Sequence, residues 1–181
     1  MTMLKKKYTV KKFYLKDDGR FPNNNSLPVL FYKNALDLPD LFPGNYVLKL
    51  FEKNNWSNGW KDGMYDYHHY HSVTHEVLGA YKGKTTVLLG GTNGVEIQFE
   101  KGDVLVIPVG VAHKNLTPKS TFKCVGAYPD GKNFDMNYGK TGERPQTDKN
   151  IKKVPLPGND PVEGKEGPLH KYWGEHQRIT D

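Results

Sequence analysis

Four of the seven histidines in this 181-residue chain fall within eight positions of one stretch, DYHHYHSVTHEV from Asp66 to Val77, and Glu76 follows the last of them directly. Along an extended strand side chains alternate faces. His69 and His71 then project to one side, where two imidazole nitrogens can reach one metal ion, while His68 and Tyr70 face the other way. Unbroken alternation would add His75 to that pair and turn Glu76 away. If Ser72 to Thr74 instead form a hairpin connection, the register restarts and Glu76 can bring a carboxylate to the same ion from the neighbouring strand. Periodicity alone leaves both arrangements open. Tyr65 and Tyr67 share the parity of His69, so their hydroxyls would either line the cavity as hydrogen-bond donors or a general acid, or simply fill it with amphipathic bulk. Tyr65, Tyr67 and His75 are thus the catalytic candidates.

Elements that could position these groups are mostly strands. KYTVKKFYL and VLFY carry the β-branched and aromatic residues of strands, with the turn-forming DDGRFPNNNSLP between them. The run from Leu41 to Asn55 has apolar Val47, Leu48, Leu50 and Phe51 at mixed spacing and Pro43 suited to a first turn, which predicts one short helix. Beyond Trp60 come short β-type runs, MYDYHHYH, EVLGAYKG, TTVLLGG, GVEIQFEKG, DVLVIP and TFKCVGAYP, punctuated by glycine turns. Close spacing of that kind indicates an antiparallel sandwich or barrel. From Pro129 onward prolines and glycines recur, and Tyr138, Ile151, Val154, Leu156, Leu169 and Trp173 would wrap this tail over the barrel. One domain over 1–181 is the expectation: N-terminal strands and a helix over 1–60, a barrel core over 61–128 and the tail over 129–181.

Gly63, His69, His71, Glu76 and Gly83 fit the spacing Gly-x5-His-x-His-x4-Glu-x6-Gly, which resembles the first motif of the cupin superfamily. Gly102, Pro108, Gly110 and His113 resemble its second motif, Gly-x5-Pro-x-Gly-x2-His; Thr117 stands where that motif usually has Asn, with Asn115 nearby. The flanking segments are similar to those of small bacterial single-domain cupins without an assigned reaction. This resemblance implies a mainly β, double-stranded β-helix (jelly-roll) barrel in which His69, His71, Glu76 and His113 bind one divalent metal ion. Three neutral imidazoles and a carboxylate form a borderline nitrogen and oxygen site that iron, manganese, nickel, cobalt or zinc can occupy, and a six-coordinate ion would keep two positions for water, oxygen or substrate. The resemblance also implies a homodimer formed through the N-terminal strand.

Composition narrows the function. Cys124, the single cysteine, excludes an internal disulfide and a Cys-pair metal motif, and reads as a small buried apolar residue. No run is long and apolar enough for a membrane span, and no apolar run follows the lysines of the N-terminal MTMLKKKYTVKKFYL, so no membrane partner and a cytoplasmic location are expected. The net charge of +6 comes from scattered lysines, and the one dense cluster, Lys5, Lys6, Lys7, Lys11 and Lys12, has no nucleic-acid motif beside it. No nucleic-acid partner is expected; an attraction for anionic small molecules remains. The reading is a metal-dependent small-molecule oxidoreductase of dioxygenase type. A sugar or keto-acid isomerase and a non-catalytic small-molecule or metal-binding module are the alternatives. His68, His170 and His176 are read as pointing away from the metal or into solvent.

Overall fold

VLFY and VLVI have no polar alternation because both faces of their strands are covered. The computed structural model describes residues 7–174. Its strands are β1 (Thr9–Leu15), β2 (Asn24–Lys33), β3 (Trp56–Asp62), β4 (Glu76–Lys82), β5 (Lys84–Leu89), β6 (Val95–Glu100), β7 (Val104–Ile107), β8 (His113–Asn115) and β9 (Lys123–Pro129). All pairings are antiparallel, in a six-stranded sheet ordered β1-β2-β7-β4-β9-β3 and a three-stranded sheet ordered β6-β5-β8. The protein is mainly β, a jelly-roll barrel.

Even and odd positions of the large sheet serve two cores. Phe31, Leu105, Leu78 and Cys124 face the small sheet and pack with Val87, Leu89, Ile97 and Phe99. Leu30, Tyr32, Val77, Val104, Val106 and Val125 face outward and are covered by the helix α1 (Pro43–Lys53) and the C-terminal segment. Pro43 opens α1, as the sequence predicts, and Val47 and Phe51, one turn apart, are its buried contacts. Two short helices, α2 (Gln146–Ile151) and α3 (Pro168–Gly174), interrupt the tail; Leu169 and Trp173 of α3 are buried, and the Trp173 indole donates to Pro28 O. Lys11 and Lys12 of the basic cluster lie on β1, Lys12 above the Tyr172 ring; Lys5 and Lys6, like His176, lie outside the described residues.

One transverse row of the large sheet leads to the site. Phe31 pairs with Leu105, Leu105 with Leu78, Leu78 with Gly126 and Gly126 with Trp60. Trp60 lies flat across its neighbour, so a Cβ on residue 126 would stand 2.2 Å from the indole Cε2. Gly126→Ala is therefore expected to destabilise the protein by about 1–3 kcal/mol through overpacking, read from urea unfolding, and to shift the Trp60 fluorescence in the folded state.

Three strand readings need correction. MYDYHHYH is not a continuous strand: only His69 and Tyr70 pair, and with different partners, His113 and Asn137, so no ladder propagates. Conversely β3, for which the sequence reading has no strand, holds a bulge at Asn58-Gly59, with Asn58 at φ 57° and a register shift between Ser57 and Trp60. Part of the turn-rich NNNSLP belongs to β2, where the Asn24 side chain accepts from Ser26 N and Leu27 N.

Candidate metal centre

β8 is only three residues long, yet it sets the geometry. His69 and His113 exchange both backbone hydrogen bonds, at 3.2 and 3.0 Å, which brings their rings to 4.2 Å between centroids. Gly110, at φ +91°, makes the preceding turn and donates its N–H to His71 O at 2.8 Å. One ring nitrogen from each of His69, His71 and His113 lies within 4.8 Å of the others, and all three side chains are buried.

The orientation of the rings follows from their outer contacts. His69 Nδ1 faces Tyr67 O at 3.2 Å, His71 Nδ1 faces Asp135 O at 2.6 Å and His113 Nδ1 faces Val111 O at 3.0 Å. A carbonyl oxygen can only accept, so each Nδ1 carries the hydrogen and each neutral ring keeps a bare lone pair on Nε2. Asp135 reinforces this by accepting from Ser72 N at 2.7 Å and Ser72 Oγ at 2.5 Å, which ties the loop before α2 to the His71 backbone.

Glu76, the first residue of β4, completes the cluster. Its Oε2 lies 3.1 Å from His113 Nε2 and 3.4 Å from His71 Nε2, and while the rings are neutral the buried Oε2 and His71 Nε2 have no hydrogen bond among the described residues. Burial alone would raise the carboxyl; His71 and His113, when protonated, outweigh it and hold Glu76 well below the carboxylate range. Burial pulls His71 down, yet the Glu76 carboxylate prevails and raises it, whereas burial and His113 push His69 down to about 3. The other carboxylate oxygen is fixed: Tyr128 Oη donates to Oε1 at 3.2 Å and itself accepts from Trp60 Nε1 at 2.9 Å. Burial, then Glu76, push the Tyr128 hydroxyl far above its ordinary value, so it stays a donor.

A cavity of about 410 Å³ opens above the three rings, walled by Trp60, Met64, Leu78, Tyr128, Phe134 and Met136. Tyr65 lines it at the rim and meets His69 edge-on at 5.4 Å; Tyr67, expected on the same face, stacks on Tyr65 but is not a lining residue. Alternation fails for Tyr67 because its segment is not a strand. It fails for His75 because the chain bends at Ser72 and Val73 and the register restarts at Glu76. His75 turns to the outer core instead: Nδ1 accepts from Val109 N at 3.0 Å, Nε2 faces Pro155 O at 3.2 Å, and the ring lies 4.8 Å from Trp173. His68 packs beside Phe21, and His170 bonds Gly164 O away from the cavity. Cys124 is buried with its thiol pushed far up by burial, and so inert. At the end of the second motif, Thr117 Oγ1 accepts from Thr86 N at 3.1 Å, and Asn115 Oδ1 accepts from Thr117 N at 2.8 Å, which closes the turn without the usual Asn.

His75 has a measurable signature. Its neutral ring uses both nitrogens, and protonation of Nδ1 would set two hydrogens against each other at Val109. Burial accordingly lowers it to about 4, from 6.5. A base whose folded pKa is depressed contributes stability above its unfolded pKa and loses it as pH falls through the window between the two. From pH 7 to 5 this residue should remove about 2 kcal/mol. Urea unfolding of His75→Leu is expected to start lower at pH 7 and to lose about 2 kcal/mol less over that interval.

Tyr128, Trp60 and Asp135 escaped sequence reading. Tyr128 had a signal: it shares the parity of Cys124 in β9, already assigned inward. Asp135 had none, because it acts through backbone and loop contacts.

Among known proteins, the chain is 42% identical over 161 residues to the uncharacterized protein YjlB of Bacillus subtilis (strain 168), covering 89% of this chain and 94% of that one. No protein-family model matches. Among solved structures it is similar to acireductone dioxygenase from Bacillus anthracis with a cadmium ion in its active center (12% identity, TM-score 0.39, 52% of this chain and 63% of that one). It is also similar to a DUF861 family protein from Thermotoga maritima (24% identity, TM-score 0.31, 48% and 90%). The chain spans less than two thirds of the first of these structures. With both motifs meeting across one jelly-roll barrel and this identity along nearly its whole length, the chain belongs to the family of Bacillus subtilis YjlB, on a cupin fold.

Proposed function

We propose that His69, His71, Glu76 and His113 hold one divalent metal ion per chain and that the protein is a small-molecule oxidoreductase of dioxygenase type. The observation that carries this reading is the donor set itself: three rings whose Nδ1–H groups are bound to carbonyls converge on a buried carboxylate oxygen that no hydrogen bond among the described residues satisfies. A buried anion and bare imidazole nitrogens are costly unless a cation joins them, so the residues fit a metal. Such an ion, when bound, supplies Lewis acidity and, if it is iron, manganese, nickel or cobalt, exchange of electrons with oxygen.

The chain's own groups define the rest. The Trp60–Tyr128–Glu76 hydrogen-bond chain pins Oε1 and leaves Oε2 alone facing the rings, which favours a single-oxygen ligand and spares room for substrate. The aromatic and thioether walls exclude water and suit a small, partly apolar molecule. We assign to Tyr65, which lines the cavity, the donation of a hydrogen bond to an anionic or enediol-like substrate. The dimer expected from the family would form along β1, the edge of the large sheet. No helix among the described residues is long and apolar enough to cross a membrane; a cytoplasmic small-molecule enzyme without a nucleic-acid partner is the reading we adopt.

Elemental analysis of protein purified without chelator should find close to one divalent ion per chain. Anaerobically reconstituted protein should then consume oxygen with a member of a panel of keto acids, diketones and phenols. Substrate conversion without oxygen uptake would replace the oxidoreductase by an isomerase, binding without turnover would leave a binding module, and absence of metal would sink every version that uses His69, His71, Glu76 and His113.

A further inference from the structure

Behind the metal cavity lies a second depression, lined by Arg20, Asp66, Tyr67, His68, Lys114, Tyr138 and Lys140. The two hollows share walls. His69 faces the metal cavity while Asp66 and His68 face the other side; His113 and Lys114 divide likewise, as do Met136 and Tyr138. We propose that this depression is a binding site for a phosphate or phosphomonoester dianion, separate from the metal centre.

Charge is the first reason. Arg20, Lys114 and Lys140 bring three cations against the one carboxylate of Asp66, and none of the three forms an ion pair among the described residues. These cations outnumber Asp66 and the Asp18 carboxylate that also acts on His68, and an anion relieves the repulsion that remains. Preorganisation is the second. Arg20 Nε donates to Gly139 O at 3.2 Å and its guanidinium lies 5.0 Å from the Phe21 ring centre, so the remaining N–H groups are held in a fixed fork. Lys140 Nζ is 5.0 Å from the centre of the Tyr138 ring, which keeps the ammonium at the rim. The hollow measures about 490 Å³, more than inorganic phosphate fills, so an esterified small molecule has room. Tyr67 and Tyr138 stand only 5.9 Å apart at 50°, too close to sandwich a ring, so recognition falls on the anionic group.

Calorimetric titration of inorganic phosphate at constant ionic strength tests this, with protein as purified and with chelator-treated protein. Saturable one-to-one binding is expected in both, with chloride giving none. Affinity should fall by about tenfold or more in Lys114→Gln/Lys140→Gln and in Arg20→Gln, and stay unchanged in Lys49→Gln on α1. Phenyl phosphate run alongside separates the two sources: tighter binding than inorganic phosphate indicates an esterified ligand, equal binding free phosphate, and either supports the site. Heat that does not saturate, or is insensitive to these substitutions in variants with unchanged circular dichroism, would overturn it. So would binding confined to metal-loaded protein, which would assign the anion to the metal centre.

Discussion

Removing the His113 imidazole, by His113→Ala, is expected to lower metal affinity by more than about a hundredfold, since loss of a group that only orients a metal ligand already costs about 10–100-fold. His113 is the residue whose loss damages the centre most. Its Nε2 is the nearest ring nitrogen to Glu76 Oε2, at 3.1 Å, and its ring is the neighbour of His69, 4.2 Å away. Without it, among the described residues, the Oε2 of the buried carboxylate keeps only the His71 contact, while Oε1 keeps the Tyr128 hydroxyl. Elemental analysis after dialysis against a weak chelator should return nearly metal-free protein, whereas His75→Leu, which loses only outer-core contacts, should retain the wild-type content. Equal metal retention in His113→Ala and wild type would mean that the three rings do not share an ion. The backbone pairing of His69 with His113 survives truncation of the side chain, so the variant should keep its β-sheet circular dichroism.

What the sequence could and could not reveal about this centre has a physical cause. The two histidines separated by one residue, and the fixed spacing of Gly102, Pro108, Gly110 and His113, are local patterns, and local patterns survive in one dimension. Side-chain alternation, the tool that sorted the remaining candidates, holds only where a ladder is continuous. It holds along β9, where Cys124 and Tyr128 face inward together although Tyr128 went unread, and fails between Tyr65 and Glu76, where single bridges and a bend replace the ladder. Hence parity alone leaves His75 open between the metal side and the outer core, where it lies, and puts Tyr67 in the wrong hollow. The barrel was legible from its short apolar runs and glycine turns. Strand β3 was not, because its bulge borrows the residues of a turn. The fixing of His71 by Asp135 O depends on a contact across 64 positions and on a main-chain atom, for which no residue type provides a marker.

The same limit applies to the C-terminal segment, where one residue with no sequence signal should carry the largest stability effect outside the barrel. Asp160→Ala is expected to cost about 3–5 kcal/mol. The Asp160 carboxylate is fully buried; Oδ2 accepts from Tyr32 Oη at 2.6 Å and Leu169 N at 3.1 Å, and Oδ1 accepts from Val162 N at 2.8 Å and Glu163 N at 3.0 Å. Truncation leaves one hydroxyl and three main-chain N–H groups without an acceptor in a site that water does not reach, and burial with the loss of this anion makes each of them costly. Leu169 and Trp173 follow in α3, and Trp173 lies against His75, so the lesion should spread along the outer face of the large sheet rather than into the inter-sheet core. Urea unfolding should show the drop in midpoint, with Asp160→Asn intermediate because its amide oxygen still accepts. Metal content, by contrast, should be unchanged in the folded protein, since none of these contacts reaches His69, His71, Glu76 or His113. Loss of metal in Asp160→Ala at temperatures where its β-sheet signal is intact would contradict that separation and make the C-terminal segment part of the centre.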